Sequence, residues 1–286
     1  MATPRETLLL LFALFCSNQL ASCFVSSGNL RSVMELRGGY DATVGTDPST
    51  PIQFFVLPGN TCPYVQRTHI VLEELGLPFD ITEVTGFPKP DWYLRINPRG
   101  KVPALRLPSL GDAVIYESGI CNEFLCDMTR KADGRDPTLL PTDPFTRASI
   151  RLLNDHCDNV FAKTQFTYLM NKEGEKDDEL RAELETALSV FEDALVESKG
   201  PYLVGQDFTL ADVHVFPFLQ RLVVTLGHWK NYTLPKDTFP NLLSWLNLCS
   251  GRETVKRTSM SKEKTIEVYT RFVGAEYDFG GLNKNT

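Results

Sequence analysis

Cys62 is followed directly by Pro63 and preceded by the turn Pro58-Gly59, which closes the apolar, aromatic-rich run Ile52-Gln-Phe-Phe-Val-Leu57. A cysteine between a buried strand and the first turn of a helix lies where unpaired backbone amides and the helix dipole favour an anion. The expectation is a lowered thiol pKa, with thiolate abundant near neutral pH and no histidine base needed. A disulfide exchanger that works alone carries a second cysteine three positions on, but here that place is taken by Val65. Cys62 must then be resolved by a thiol from outside the chain. The competing reading is a buried small hydrophobe, which seven cysteines make easy by chance.

Glutathione is the abundant external thiol, and other positions suit a small anionic peptide. Val102-Pro103 precedes a predicted strand, where a cis proline leaves the Val102 backbone open to an extended peptide; a plain strand-start proline is the alternative. Glu117-Ser118 opens a helix straight after a strand. There a hydroxyl and amide meet a carboxylate while the Glu accepts from an ammonium, unless the pair is an ordinary cap. Lys89 reaches the far end of such a peptide or is an idle surface lysine.

The elements that position these residues fall into two halves. The run Ile52–Leu57 reads as a strand, and a helix from Pro63 carries Val65, Leu72 and Leu75 at helical spacing before stopping at Gly76. Phe79 to Val84 alternates as a second strand, and Lys89 to Ile96 reads as a short helix. Ala104 to Leu107 and Val114 to Tyr116 flank a turn at Gly111-Asp112, and Ser118 to Cys126 is again helical. The order βαβ, crossover, ββα predicts a thioredoxin-like domain over 51–128. A polar stretch over 129–144 reads as a linker. Helices alone follow over 145–273, at 145–170, 178–198, 210–227, 241–249 and 261–272, with 274–286 as a tail. Thr209 and Asp212 are spaced as a capping box. The fold class expected is therefore α/β plus all-α, a thioredoxin-like domain followed by a C-terminal helical bundle.

The first fifty residues read as an address. Arg5 precedes the run Leu8–Phe15, which is too short to span a bilayer but suits a secretory signal, and Ala21-Ser22-Cys23 offers a cleavage site. Residues 24–37 carry serines, Arg31, Arg37 and a single acid, Glu35, which is the bias of a transit peptide. The junction Ala21-Ser22-Cys23-Phe24 resembles the signal-then-transit junction of proteins bound for complex plastids. Secretion is the alternative, and only on that route would the sequon Asn231-Tyr232-Thr233 matter. No later segment reads as apolar enough to cross a membrane. A net charge of −7 without a basic stripe argues against nucleic acid as a partner.

Taken together, Cys62-Pro-Tyr-Val-Gln-Arg67, Asn97-Pro-Arg-Gly-Lys-Val-Pro-Ala104 and Glu117-Ser118 resemble the N-terminal domain of cysteine-type glutathione S-transferases. In the helical half, the run Leu210 to Arg221, Phe239-Pro240-Asn241 with Trp245, and Tyr269-Thr-Arg-Phe272 most resemble the lambda class, with the omega class and dehydroascorbate reductases next. The resemblance spans about residues 51–273. It implies glutathione as co-substrate, no metal, Cys62 as a nucleophile that forms a mixed disulfide, and thiol transfer with weak conjugating activity. It further implies that Lys89 and the Val102 backbone hold the peptide, that Pro103 is cis, and that Glu117 and Ser118 hold the γ-glutamyl end. The continuation Gly119-Ile120-Cys121 departs from the pattern, since a bulkier aliphatic often follows the Ser. A small hydrophobic or disulfide acceptor is expected between the halves, with Phe166, Tyr168 and Trp229 as candidate lining, and the chain is expected to be monomeric. Dehydroascorbate reduction is the rival activity, and a non-catalytic ligand carrier the rival of another class. His156 beside Cys157 is not taken as a thiol-imidazole pair, because neighbours on a helix point to different faces.

Overall fold

The computed structural model describes residues 50–86, 88–130 and 139–273. The expected targeting segment, the middle of the expected linker and the tail lie outside the described residues. Four strands, β1 (Ile52–Val56), β2 (Phe79–Glu83), β3 (Ala104–Leu107) and β4 (Ala113–Tyr116), form one sheet in the order β2-β1-β3-β4. The central strand β1 buries Ile52, Phe54, Phe55 and Val56, because helices cover both faces of the sheet. It runs parallel to β2 and antiparallel to β3, which pairs antiparallel with β4.

Between β1 and β2 lies α1 (Pro63–Glu74). Pro63 fits its first turn, where no amide hydrogen is needed, and Gly76 at φ 62° ends it, with the Leu77 amide reaching back to the Leu72 carbonyl. One face packs on α3 (Ser118–Met128), while the opposite face meets the helical half, so Gln66 and Arg67 are as buried as Val65. The short α2 (Asp91–Ile96) lies on the other face of the sheet, where Tyr93 packs on Phe55.

The helical half begins with α4 (Pro144–His156), capped by the Asp143 carboxylate on the Thr146 amide at 2.7 Å. The helix expected to run unbroken to Met170 widens into a π-turn at Cys157–Phe161 before α5 (Ala162–Met170). That wider turn carries Cys157 into the core and sets Asp158 beside α1. The long α6 (Asp177–Ser198) ends at Lys199 in the left-handed conformation. Its Glu192 caps α8 (Pro240–Ser250) by accepting from the amides of Asn241 and Leu242 at 3.1 and 2.8 Å.

The centre is α7 (Leu210–Trp229), started by the capping box of Thr209 and Asp212. Asp212 also accepts from the Leu203 amide at 3.0 Å and from Trp245 Nε1 at 2.7 Å, tying three segments together. This helix corrects the expectation that no later segment could cross a membrane: by length and composition alone it would qualify. Its apolar side chains instead pack on helices all round it, which is how a core helix comes to read as evenly hydrophobic. The expected linker also meets it, for Leu139 and Leu140 are buried and the Leu139 carbonyl accepts from the Leu210 amide at 2.7 Å. Two helices close the described chain, α9 (Glu253–Thr258), which sequence periodicity did not suggest, and α10 (Lys262–Val273).

Candidate active site

The pairing register collects the sequence-predicted residues at one edge of the sheet. Phe55 on β1 stands opposite Ala104 on β3, which stands opposite Tyr116 on β4. The segments just past those positions are the Cys62 turn, Val102-Pro103 and Glu117-Ser118. Val56 pairs with Glu83 at the same end, so the loop bearing Lys89 emerges there too.

Cys62 is the N-cap of α1, in an extended conformation at φ −81° and ψ 127°, and is partly exposed as a free thiol. Burial pushes the thiol up from its ordinary value. Against that act the backbone amides of Val65 and Tyr64 and the charges of Arg221 and Arg67, all of which favour the thiolate. At a sulfur packed against the core, desolvation outweighs these four, so the direction is upward and not the fall expected from helix position alone.

Val102-Pro103 is a cis peptide bond. The loop before it is latched by the Asn97-Pro-Arg-Gly-Lys run itself. Asn97 Nδ2 and Tyr93 Oη both donate to the Lys101 carbonyl, the former at 2.7 Å, while Asn97 Oδ1 accepts from the Arg99 amide at 3.1 Å. Glycine is favoured at position 100, where φ is 63° and an added Cβ would lie 3.2 Å from Leu94 Cδ2. Lys89 Nζ donates to the Val84 carbonyl at 3.1 Å. Burial lowers its pKa, while the Cys62 sulfur pulls the other way.

Glu117 adopts φ 71° and ψ 118°, a sparsely populated conformation for a residue with a side chain. Its carboxylate accepts from Arg99 Nη1 at 2.7 Å, and the Arg99 guanidinium stands over the Tyr116 ring. Ser118 is buried at the first position of α3.

The structure adds residues for which sequence reasoning gave no role. Arg221, on α7, donates from Nη1 to Gln66 Oε1 and from Nη2 to the Thr61 carbonyl at 3.4 Å. Tyr269 on α10 is buried, and desolvation pushes its pKa up to about 12, with Arg221 and Cys62 acting on it electrostatically. Phe166 stacks on Tyr269 with centroids 6.3 Å apart, whereas Tyr168 turns toward Tyr232 and Lys230, and Trp229 meets His228. Of the three expected lining residues, then, Phe166 is the one with a ring contact to Tyr269, which acts electrostatically on Cys62. The available signal was an arginine inside an otherwise largely apolar helix, which singles out Arg221.

Behind the cysteine lies a second cluster. Arg67, fully buried, donates to Asp158 Oδ1 at 2.8 Å and to the His214 carbonyl at 2.8 Å, between the rings of Tyr64 and Phe218. His214 Nε2 lies 3.0 Å from Asp158 Oδ2, and Cys157 Sγ lies 3.5 Å from Arg67 Nη2. Cys157, Asp158 and His214 have ligand atoms within 4.8 Å of one another, and two of these residues, Cys157 and Asp158, both accept from Arg67 Nη2.

A thioredoxin-like domain with a cysteine at the head of its first helix, joined to an all-helical half, is the architecture of cysteine-bearing glutathione-dependent transferases. Family models agree: residues 61–128 match the glutathione S-transferase N-terminal domain and residues 156–253 its C-terminal domain. The chain is 30% identical to glutathione S-transferase omega-1 of Sus scrofa, spanning 69% of this chain and 76% of that one. It is 27% identical to the probable chloroplastic glutathione S-transferase DHAR2 of Oryza sativa, over 72% of this chain and 68% of that protein. The crystal structure of glutathione transferase Omega 3C from Trametes versicolor superposes with a TM-score of 0.67 at 32% identity, covering 82% of this chain and 97% of that one. This chain belongs to the glutathione S-transferase family.

Proposed function

We propose that the protein is a glutathione-dependent thiol transferase whose nucleophile is Cys62. The observation that carries this reading is the free Cys62 sulfur at the head of α1, faced by the amides of Tyr64 and Val65 and without a second cysteine at position 65. In the first step the Cys62 thiolate attacks the glutathione sulfur of a mixed disulfide. A Cys62–glutathione disulfide forms, and the acceptor leaves as a thiolate that takes a proton from water. In the second step a glutathione thiolate attacks the glutathione sulfur bound to Cys62, releasing oxidised glutathione and restoring the Cys62 thiolate. Lys89 and the Val102 backbone would hold the peptide, and Glu117 and Ser118 its γ-glutamyl end, with Arg99 keeping the Glu117 carboxylate in place. The acceptor would lie against Phe166 and Tyr269.

Glutathione-dependent reduction of a glutathionylated small disulfide by the wild type and by Cys62→Ser is the deciding assay. The expected loss is about a thousandfold or more, as for removal of a nucleophile, with glutathione binding kept. Transfer at wild-type rate in the variant would overturn the reading. Dehydroascorbate reduction is the second reading, favoured by the DHAR-named relatives, and the same preparation assayed with dehydroascorbate ranks the two. Delivery to a plastid is proposed from the signal-then-transit pattern and the chloroplastic relatives. A fluorescent fusion of residues 1–50 tests it, and secretion of the fusion would reject it.

A further inference from the structure

We propose that Arg221 is a positioning residue for Cys62, its guanidinium gripping the Cys62 turn from the helical half and stabilising the thiolate there. The inference rests on the thiol-transferase reading for its purpose, but its geometry stands independently. Arg221 is 2% exposed. One nitrogen reaches the carbonyl of Thr61, the residue just before Cys62, and another reaches the side chain of Gln66, the residue whose backbone amide donates to the Cys62 carbonyl at 3.1 Å. The cysteine is therefore bracketed on both sides along the chain by one cation. Gln66 is itself held by Ser259 Oγ at 3.0 Å, which fixes the arm that Arg221 uses.

What marks Arg221 out is how its charge is left. A buried guanidinium is costly unless a carboxylate answers it. Among the described residues Arg221 has neutral oxygen acceptors only, those of Thr61, Gln66 and Pro217, and its Nε is buried without a hydrogen-bond partner. Its uncompensated positive charge faces a sulfur that needs a cation. The other groups facing Cys62 are Arg67 from its own helix, Lys89 from the loop after β2, Tyr93 from α2 and Tyr269 from α10. Of the cations among these, Arg67 is already answered by Asp158, and Lys89, which like Arg221 meets a neutral carbonyl, is only half-buried, so solvent screens its charge.

The test reads the thiol directly and does not depend on the activity assay. The full-length protein and its Arg221→Gln and Arg221→Lys variants are alkylated with iodoacetamide across pH, and modification of the Cys62 peptide is followed by mass spectrometry. Arg221→Gln should move the midpoint of Cys62 alkylation up by about one pH unit, and Arg221→Lys, which keeps the charge, should recover at least half of that shift. An unchanged midpoint in a folded Arg221→Gln protein would overturn the proposal, as would equal shifts in both variants. If Arg221→Gln does not fold, the Lys variant is paired with Gln66→Leu, which removes the arm and keeps the cation. An unchanged midpoint there would also overturn it. A protein that passes this test yet transfers no thiol refutes the functional reading and leaves the positioning role intact.

Discussion

Two arginines cross the boundary between the halves in opposite directions, and they are treated differently. Arg67 leaves α1 for the helical half, where Asp158 neutralises it and the His214 carbonyl orients it. Arg221 leaves α7 for the Cys62 turn and meets only neutral oxygens. Both are buried to about the same degree. A fold that only needed to join its halves would answer both charges with carboxylates. Answering one makes a structural clasp, whereas leaving the other open supplies a field at the one partly exposed thiol among the described residues.

Breaking the answered charge gives the largest stability effect. Asp158→Ala strands Arg67 as a buried cation and should cost about 3 kcal/mol, at the low end of the range for such pairs because Asp158 is itself partly exposed; urea unfolding measures it. In the same variant the Cys62 alkylation midpoint should fall by a few tenths of a pH unit, roughly what a partly freed nearby cation gives. A midpoint that rises would blur the distinction between the two arginines.

Acid should attack the Arg67 side first. Burial and Arg67 hold His214 below its ordinary value, so it is neutral in the fold and charges in the unfolded chain once pH drops below about 6.5. Between pH 6.5 and 5 this removes at most about 2 kcal/mol. The Arg67 charge, with hydrogen bonds from Arg67 and His214, outweighs burial and holds the Asp158 carboxyl well below the carboxylate range. Its contribution is therefore intact above about pH 4 and is lost as pH falls further. Urea midpoints across pH should fall in those two stages, and His214→Asn should flatten the first. Gln66→Ala gives the smallest effect, about 1.5 kcal/mol, the low end for a lost buried hydrogen bond to a charged group. It should also raise the Cys62 midpoint by less than Arg221→Gln does, since the cation remains.

Much of the sheet half was legible because each signal was local. Pro63, Gly76, the Gly111-Asp112 turn and the strand patterns mark element ends through backbone chemistry that neighbours in sequence decide. The capping box at Thr209 was legible for the same reason. α9 was not, being six residues long with only Val255 and Thr258 buried. The π-turn at Cys157 leaves no mark on a helical pattern, yet it puts Asp158 in reach of Arg67. The thiol's pKa was misjudged because desolvation depends on what packs over Cys62 from α7 and α10, which spacing along α1 does not encode. For the same reason Phe166 and Tyr168, two residues apart, were not separable until α10 supplied Tyr269 to one and the Asn231 turn supplied Tyr232 to the other.

Pro217 sits inside α7 and has no amide hydrogen to give, so it removes the donor that the Val213 carbonyl would otherwise use and opens the ladder at that turn. The next carbonyl, that of His214, receives Arg67 from α1, and the Pro217 carbonyl receives Arg221. The central helix of one half is thus completed by a side chain from the other. Because the buried apolar residues of the two halves also form one continuous cluster, loosening Arg67 should lower the unfolding midpoint read from either half.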